Sequence, residues 1–161
     1  MLKKLLFAVV LFSGLAGCKS KSAFDYSQNF VKKEQSLLPD INSTEANVKR
    51  YAALEQYDSI AVAGERMEKL VDAKLKEIKD EAAPDAKEAE NFKEAGIRYF
   101  SYIKSMYTSY KNFGSAGSPE ARATEMQKLQ ELVNNKAAAI ADMQRVQKKY
   151  ADANGFKLEN K

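Results

Sequence analysis

The sequence predicts an all-α fold: an antiparallel bundle of about four helices, three long and one shorter, behind a cleaved signal peptide. Three observations carry this. Apolar residues recur at three- and four-residue spacing over long stretches, with few strand-like alternations. Pro39, Pro84 and Pro119 all fall where one such stretch gives way to the next, and proline belongs at helix starts, not interiors. The connections between the stretches are short, which makes successive helices antiparallel neighbours.

The first element is not part of that bundle. Lys3 and Lys4 form a basic n-region, and Leu5 to Phe12 is an unbroken apolar run closed by Ser13 and Gly14. A run this short cannot cross a hydrocarbon core, which needs about 20 apolar residues, but it has the length of a secretion-signal h-region. It leads into Leu15-Ala16-Gly17-Cys18. These four residues resemble the lipobox of bacterial lipoprotein precursors, Leu-small-Gly/Ala-Cys, at every position. The resemblance covers residues 1–18. It implies diacylglyceryl transfer to the Cys18 sulfur, cleavage after residue 17 and acylation of the new amine. It also implies a bacterial cell-envelope location, with the membrane reached through the lipid anchor. Lys19 in place of Asp resembles the outer-membrane address of enteric lipoproteins, which implies the periplasmic face of that membrane. Residues 18–23 then read as a lipidated tether and 24–161 as the bundle domain.

The first helix is expected over about Phe24 to Leu38, ended by Pro39, with Tyr26, Phe30, Leu37 and Leu38 buried. The second is expected from about Thr44 to Ala82. Asn42 and Glu45 have the spacing of a capping box, and the apolar stripe is Leu54, Tyr57, Ile60, Gly64, Met67, Val71, Leu75 and Ile78. The third runs from about Asp85, paired with Glu88 in another capping-box pattern, to Phe113. Its stripe is Ala89, Phe92, Gly96, Tyr99, Ile103, Met106, Tyr110 and Phe113. Gly114-Ser-Ala-Gly117 is a loop. Ser118 caps the fourth helix, Pro119 takes its first position and Glu120 sits at the positive end of its dipole. The expected stripe of that helix is Met126, Leu129, Val133, Ala137, Ile140, Met143, Gln147 and Tyr150. Gly155 suits a left-handed C′ position, with Phe156 packing back on the last turn.

Removing residues 1–17 from 161 leaves 144, enough for one domain with a real core. Without Lys3 and Lys4 the formal charge falls from +4 to +2, with both signs interspersed as on a solvated helical surface. The clustered basic excess of a nucleic-acid binder is missing. The chain holds no His and a single Cys, which excludes His-ligated zinc, His-dependent triads and an internal disulfide. No glycine-rich loop is followed by Lys-Ser/Thr. No catalytic residue, metal site or cofactor is therefore expected beyond the lipid on Cys18.

The densest chemistry is the aromatic run of the third helix, in which Tyr99, Tyr102, Met106 and Tyr110 share a wide arc. Two readings fit: a helix touching two neighbours, or a groove for a small hydrophobic ligand or a partner helix. Gly64, on the facing stripe, either lets bulky neighbours interdigitate or leaves room for that ligand. Beyond the lipobox, the mature chain resembles small helical-bundle surface lipoproteins of Gram-negative lineages. The expected function is a non-enzymatic, membrane-anchored bundle that binds another envelope protein. Its alternative is binding of a lipid-like ligand in the aromatic groove.

Overall fold

A computed structural model describes residues 9–11 and 18–159. Four helices make the fold: α1 (Cys18–Ala53), α2 (Tyr57–Asp80), α3 (Ala89–Ser115) and α4 (Pro119–Asn154). They form an all-α bundle. Three-residue strands, β1 (Val9–Leu11) and β2 (Lys157–Glu159), pair antiparallel beside it, too short to constitute a layer.

Helix α1 departs most from expectation. It does not stop at Leu38 but continues through Pro39 to Ala53. The missing N–H and the ring clash of an interior proline cost about 3 kcal/mol. Burial across that point outweighs the cost. Ala23, Ser27, Phe30, Glu34, Leu37, Ile41, Thr44 and Val48 are all buried, at alternating four- and three-residue steps that run straight past Pro39. Pro39 itself lies on the exposed side, where a helix can curve around its core without losing packing. Asn42 and Glu45 therefore lie inside a helix and cap nothing.

The real break is at Leu54–Gln56. The Gln56 N–H donates to the Tyr51 carbonyl (2.9 Å) and the Glu55 N–H to the Ala52 carbonyl (3.2 Å), the paired bonds of a Schellman ending. Glu55 occupies its left-handed position at φ 55°. Such a position ordinarily holds Gly or Asn, so nothing local announces it. Leu54, expected on the stripe of the second helix, sits on this turn and is 61% exposed. The rest of that stripe from Ile60 to Ile78 is buried as expected.

Helix α3 begins at Ala89, not at Asp85. Glu88 precedes it in left-handed conformation (φ 62°) and makes no side-chain cap. Its carboxylate instead accepts from Asn91 Nδ2 (2.7 Å) and meets Lys149 of α4 (3.0 Å). Both ends of α4 follow expectation. Ser118 Oγ accepts the Ala121 N–H at 3.1 Å, and Gly155 is left-handed at φ 73°. Phe156 is buried, its ring edge-on to Tyr150 at 5.7 Å.

Helices α2 and α3 pack most closely, because glycines let backbone meet backbone. A Cβ on Gly64 would lie 2.5 Å from the Lys111 nitrogen, and one on Gly114 would lie 2.3 Å from the Ala61 nitrogen. Helix α4 covers the other side of α3, and α1 packs on α2 and α4, diagonally across from α3. Large side chains span the diagonal: the Phe30 ring of α1 lies against Gly96 and 5.3–5.4 Å from the Phe92 and Phe100 rings. The Cys18 end of the core is aromatic, with Phe92 stacked on Tyr150 at 4.8 Å and Phe24 edge-on to Phe156 at 5.8 Å. The far half is more polar, holding Thr44, Tyr107 and Ser109 buried and Glu45 and Tyr110 half-buried.

Candidate functional site

Leu15, Ala16 and Gly17 lie outside the described residues. Cys18 opens α1, so the segment expected to be a tether, residues 18–23, is helical and already buries Ala23. Within the described residues the lipidation candidate is already helical. The α2–α3 turn is fastened to the same end of the bundle. Lys33 Nζ pairs with the Glu81 carboxylate at 2.8 Å, and Lys93 Nζ donates to the Glu81 carbonyl at 2.7 Å. Among the described residues no helix is long and apolar enough to cross a membrane.

The aromatic run of α3 reaches α1 on one side and α4 on the other. Tyr99 is buried, and its hydroxyl donates to Glu34 Oε1 of α1 at 2.7 Å. Tyr102 is half-buried and donates to the Leu132 carbonyl of α4 at 2.8 Å. Met106 is buried. Tyr110 donates to Glu45 Oε2 of α1 at 3.1 Å. Gly64 stands where α2 touches the α3 backbone at Tyr107–Lys111. Its small size is filled by that backbone. The clefts described below are lined by other side chains.

Two acidic residues on α1 complete this arrangement, and neither stood out in the sequence. Glu34 is 2% exposed. Burial pushes its carboxyl up to about 7, and the Tyr99 hydrogen bond opposes that only in part. Glu45 is also raised by burial, against the Tyr110 hydroxyl and the Lys136 charge. Burial, then the nearby Glu34 charge, pushes the Tyr99 hydroxyl well above the usual tyrosine range. The signal that finds Glu34 is its place in the α1 seam, midway between Phe30 and Leu37.

A different surface emerges on α4. In its C-terminal half the expected stripe is correct, with Met143, Gln147 and Tyr150 buried. In its N-terminal half the helix is turned by one position. Met126 and Val133 are 46% and 45% exposed, and Ala137 is also exposed. The inner positions are Arg122, Glu125, Leu129, Leu132 and Lys136. Glu125 and Leu132 share a cleft with Ser105, Thr108, Ser109 and Asn112 of α3. The outer surface from Ala123 to Ala141 is a band of Ala123, Met126, Gln127, Gln130, Val133, Asn134, Ala137, Ala138 and Ala141, all exposed and none charged. In a chain of 30% charged residues, this segment keeps Leu129 and Leu132 inside but turns Met126 and Val133 outwards while Glu125 and Lys136 point in.

Two further clefts are shallow and polar. One of about 350 Å³ lies between α1 and α2, with Asp40, Asn47, Tyr51, Ser59, Val62 and Arg66 among its walls. Another lies at the end far from Cys18, between Glu55–Ser59 at the start of α2 and Gly114–Gly117, where α3 runs on through Gly114 and Ser115, expected to be loop, before it ends. There the Arg122 guanidinium sits 4.2 Å above the Tyr57 ring and donates to the Ala116 carbonyl at 2.6 Å. Among the described residues no cluster of three Cys, Asp or Glu could hold a metal ion. No protein-family model, curated protein or solved structure matches the chain.

Proposed function

We propose that this protein is a lipoprotein of the bacterial cell envelope, anchored through Cys18, whose bundle docks a helix of another envelope protein on the outer face of α4. The lipobox-like Leu15-Ala16-Gly17-Cys18 behind a basic and apolar leader supports the anchor. Two or three acyl chains, at about 0.8 kcal/mol per buried CH₂, hold a protein durably at a bilayer. Because α1 includes residue 18, no extended tether separates Cys18 from the bundle, which would stand close to that surface. At about 1.5 Å per residue its 36-residue first helix reaches roughly 54 Å outwards.

The observation that carries the docking reading is the inverted pattern of α4. With Met126 and Val133 exposed and Glu125 and Lys136 turned inwards, the monomer buries little apolar surface along this half of α4. An uncharged band of alanines, glutamines and asparagines around two larger apolar residues is what a second helix packs against closely. Confinement of both partners to one membrane raises their effective concentration, so a modest interface suffices.

A photo-crosslinking amino acid at position 133 in living cells tests this. A discrete adduct with an envelope protein is expected from position 133, none from exposed Lys69 of α2, and loss of the adduct on Cys18→Ser. Equal labelling from positions 133 and 69, or no discrete adduct at all, would overturn the docking reading. Cys18→Ser protein that still fractionates with membranes and still takes lipid label would overturn the anchor.

A further inference from the structure

We propose that α1 is a proton-operated latch, closed on the other three helices while Glu34 is protonated and loosened when that carboxyl ionises. The geometry begins with the seam. The buried stripe of α2 is apolar throughout, from Ile60 to Ile78. The α1 seam instead includes Ser27, Glu34 and Thr44, all buried. Glu34 is the one ionisable acid or base among the buried side chains described; buried tyrosines aside, its neighbours in the core are neutral.

What faces it decides its charge. From α3, the Tyr99 hydroxyl donates to Oε1 at 2.7 Å, with Tyr102 next along. The buried side chains that α2 and α4 add to the core, Leu75, Ile78, Met143 and Val146 among them, are apolar, and the buried Gln147 is uncharged. No Lys or Arg among the described residues acts on Glu34. One neutral donor cannot compensate a buried carboxylate, since an unpaired ion in the interior costs several kcal/mol. The docked helix therefore holds the proton. Released from its neighbours, the same carboxyl would give the proton up at its ordinary value.

The direction follows. The docked state binds more protons than the undocked state between pH 4.5 and about 7, so docking weakens as pH rises through that window. From pH 5 to pH 8 the docking equilibrium of α1 falls roughly 70-fold on those two values. Glu45, three turns along, faces Tyr107 and Tyr110 from α3 and Lys136 from α4. Its shift has the same direction but is opposed by that cation. The latch does not depend on what residue 18 carries.

Amide hydrogen exchange on the full-length chain between pH 5 and pH 8, corrected for intrinsic exchange, is the test. Protection of amides 30–38 is read as a ratio to α3 amides in the same sample. The ratio is expected to fall by one to two orders of magnitude in the wild type. It should stay flat in Glu34→Gln, which keeps the acceptor for Tyr99 and cannot ionise. Glu34→Met, which fills the site with apolar volume, should be flat as well. A flat wild-type ratio, or the wild-type slope persisting in both variants, overturns the latch.

Discussion

Single residues decide how near the helices of this bundle come. At Gly64 the space for even one methyl group is occupied by the α3 backbone, which cannot rotate away as a side chain would. Gly64→Ala should therefore push α2 and α3 apart and cost about 1–3 kcal/mol, read as a lowered denaturation midpoint. Gly117→Ala is the control. Nothing lies within 4 Å of its added Cβ, and the midpoint should hardly move. An unchanged midpoint in both would mean the α2–α3 contact is looser than described. That Gly64 belongs to a helix contact was legible from its place on an apolar stripe. Glu34 was not, because a glutamate reads as solvated even where it falls between two apolar positions of one helix face, as it does between Phe30 and Leu37.

At the scale of elements, α1 and α4 show where local rules prevail and where tertiary burial overrides them. Ser118-Pro119 and Gly155-Phe156 end α4 by their own chemistry, and the sequence suffices to place them. Pro39 has the opposite lesson. A breaker inside eight seam positions loses to their burial, while the true break at Leu54–Gln56 is made by backbone geometry around Glu55, with no glycine to mark it. The half of α4 that was misread by one position has charged and apolar residues adjacent throughout, so either face could have been chosen as the inner one. Two measurements follow. Pro39→Ala should stabilise the fold by about 2–3 kcal/mol, because a helix-interior proline is replaced by the best helix former and Pro39 packs against nothing it must fill. The gain is trimmed by the greater freedom of the unfolded chain. Ser118→Ala should cost about 1 kcal/mol through the orphaned Ala121 N–H. If thermal denaturation shows Pro39→Ala to be destabilising, the continuity of α1 is wrong.

The whole molecule is a rod with unlike halves. Towards Cys18 the four helices close on interlocked rings of Phe24, Phe30, Phe92, Phe100, Tyr150 and Phe156, each pair adding about 0.5–1.5 kcal/mol beyond its buried area. Away from it, α4 faces Ser105, Thr108, Ser109 and Asn112 of α3 across a cleft that Glu125, Lys128 and Leu132 also line, and it buries only Leu129 over its first 24 residues. Local opening follows buried apolar contact, so the two halves should not open together. Amides of residues 122–136 are expected to exchange at least tenfold faster than those of 143–151, although both lie in one continuous helix. A uniform rate along α4 would mean that its outer band is already covered, or that the polar contact with α3 is firmer than its chemistry suggests. Occupation of that band by another helix would add apolar contact where the rod has least. The slow-exchanging region should then extend towards residue 122 when the protein is measured in its own membrane and retreat when it is extracted. The half that is aromatic should show the same protection in both preparations, because its core is complete without a partner.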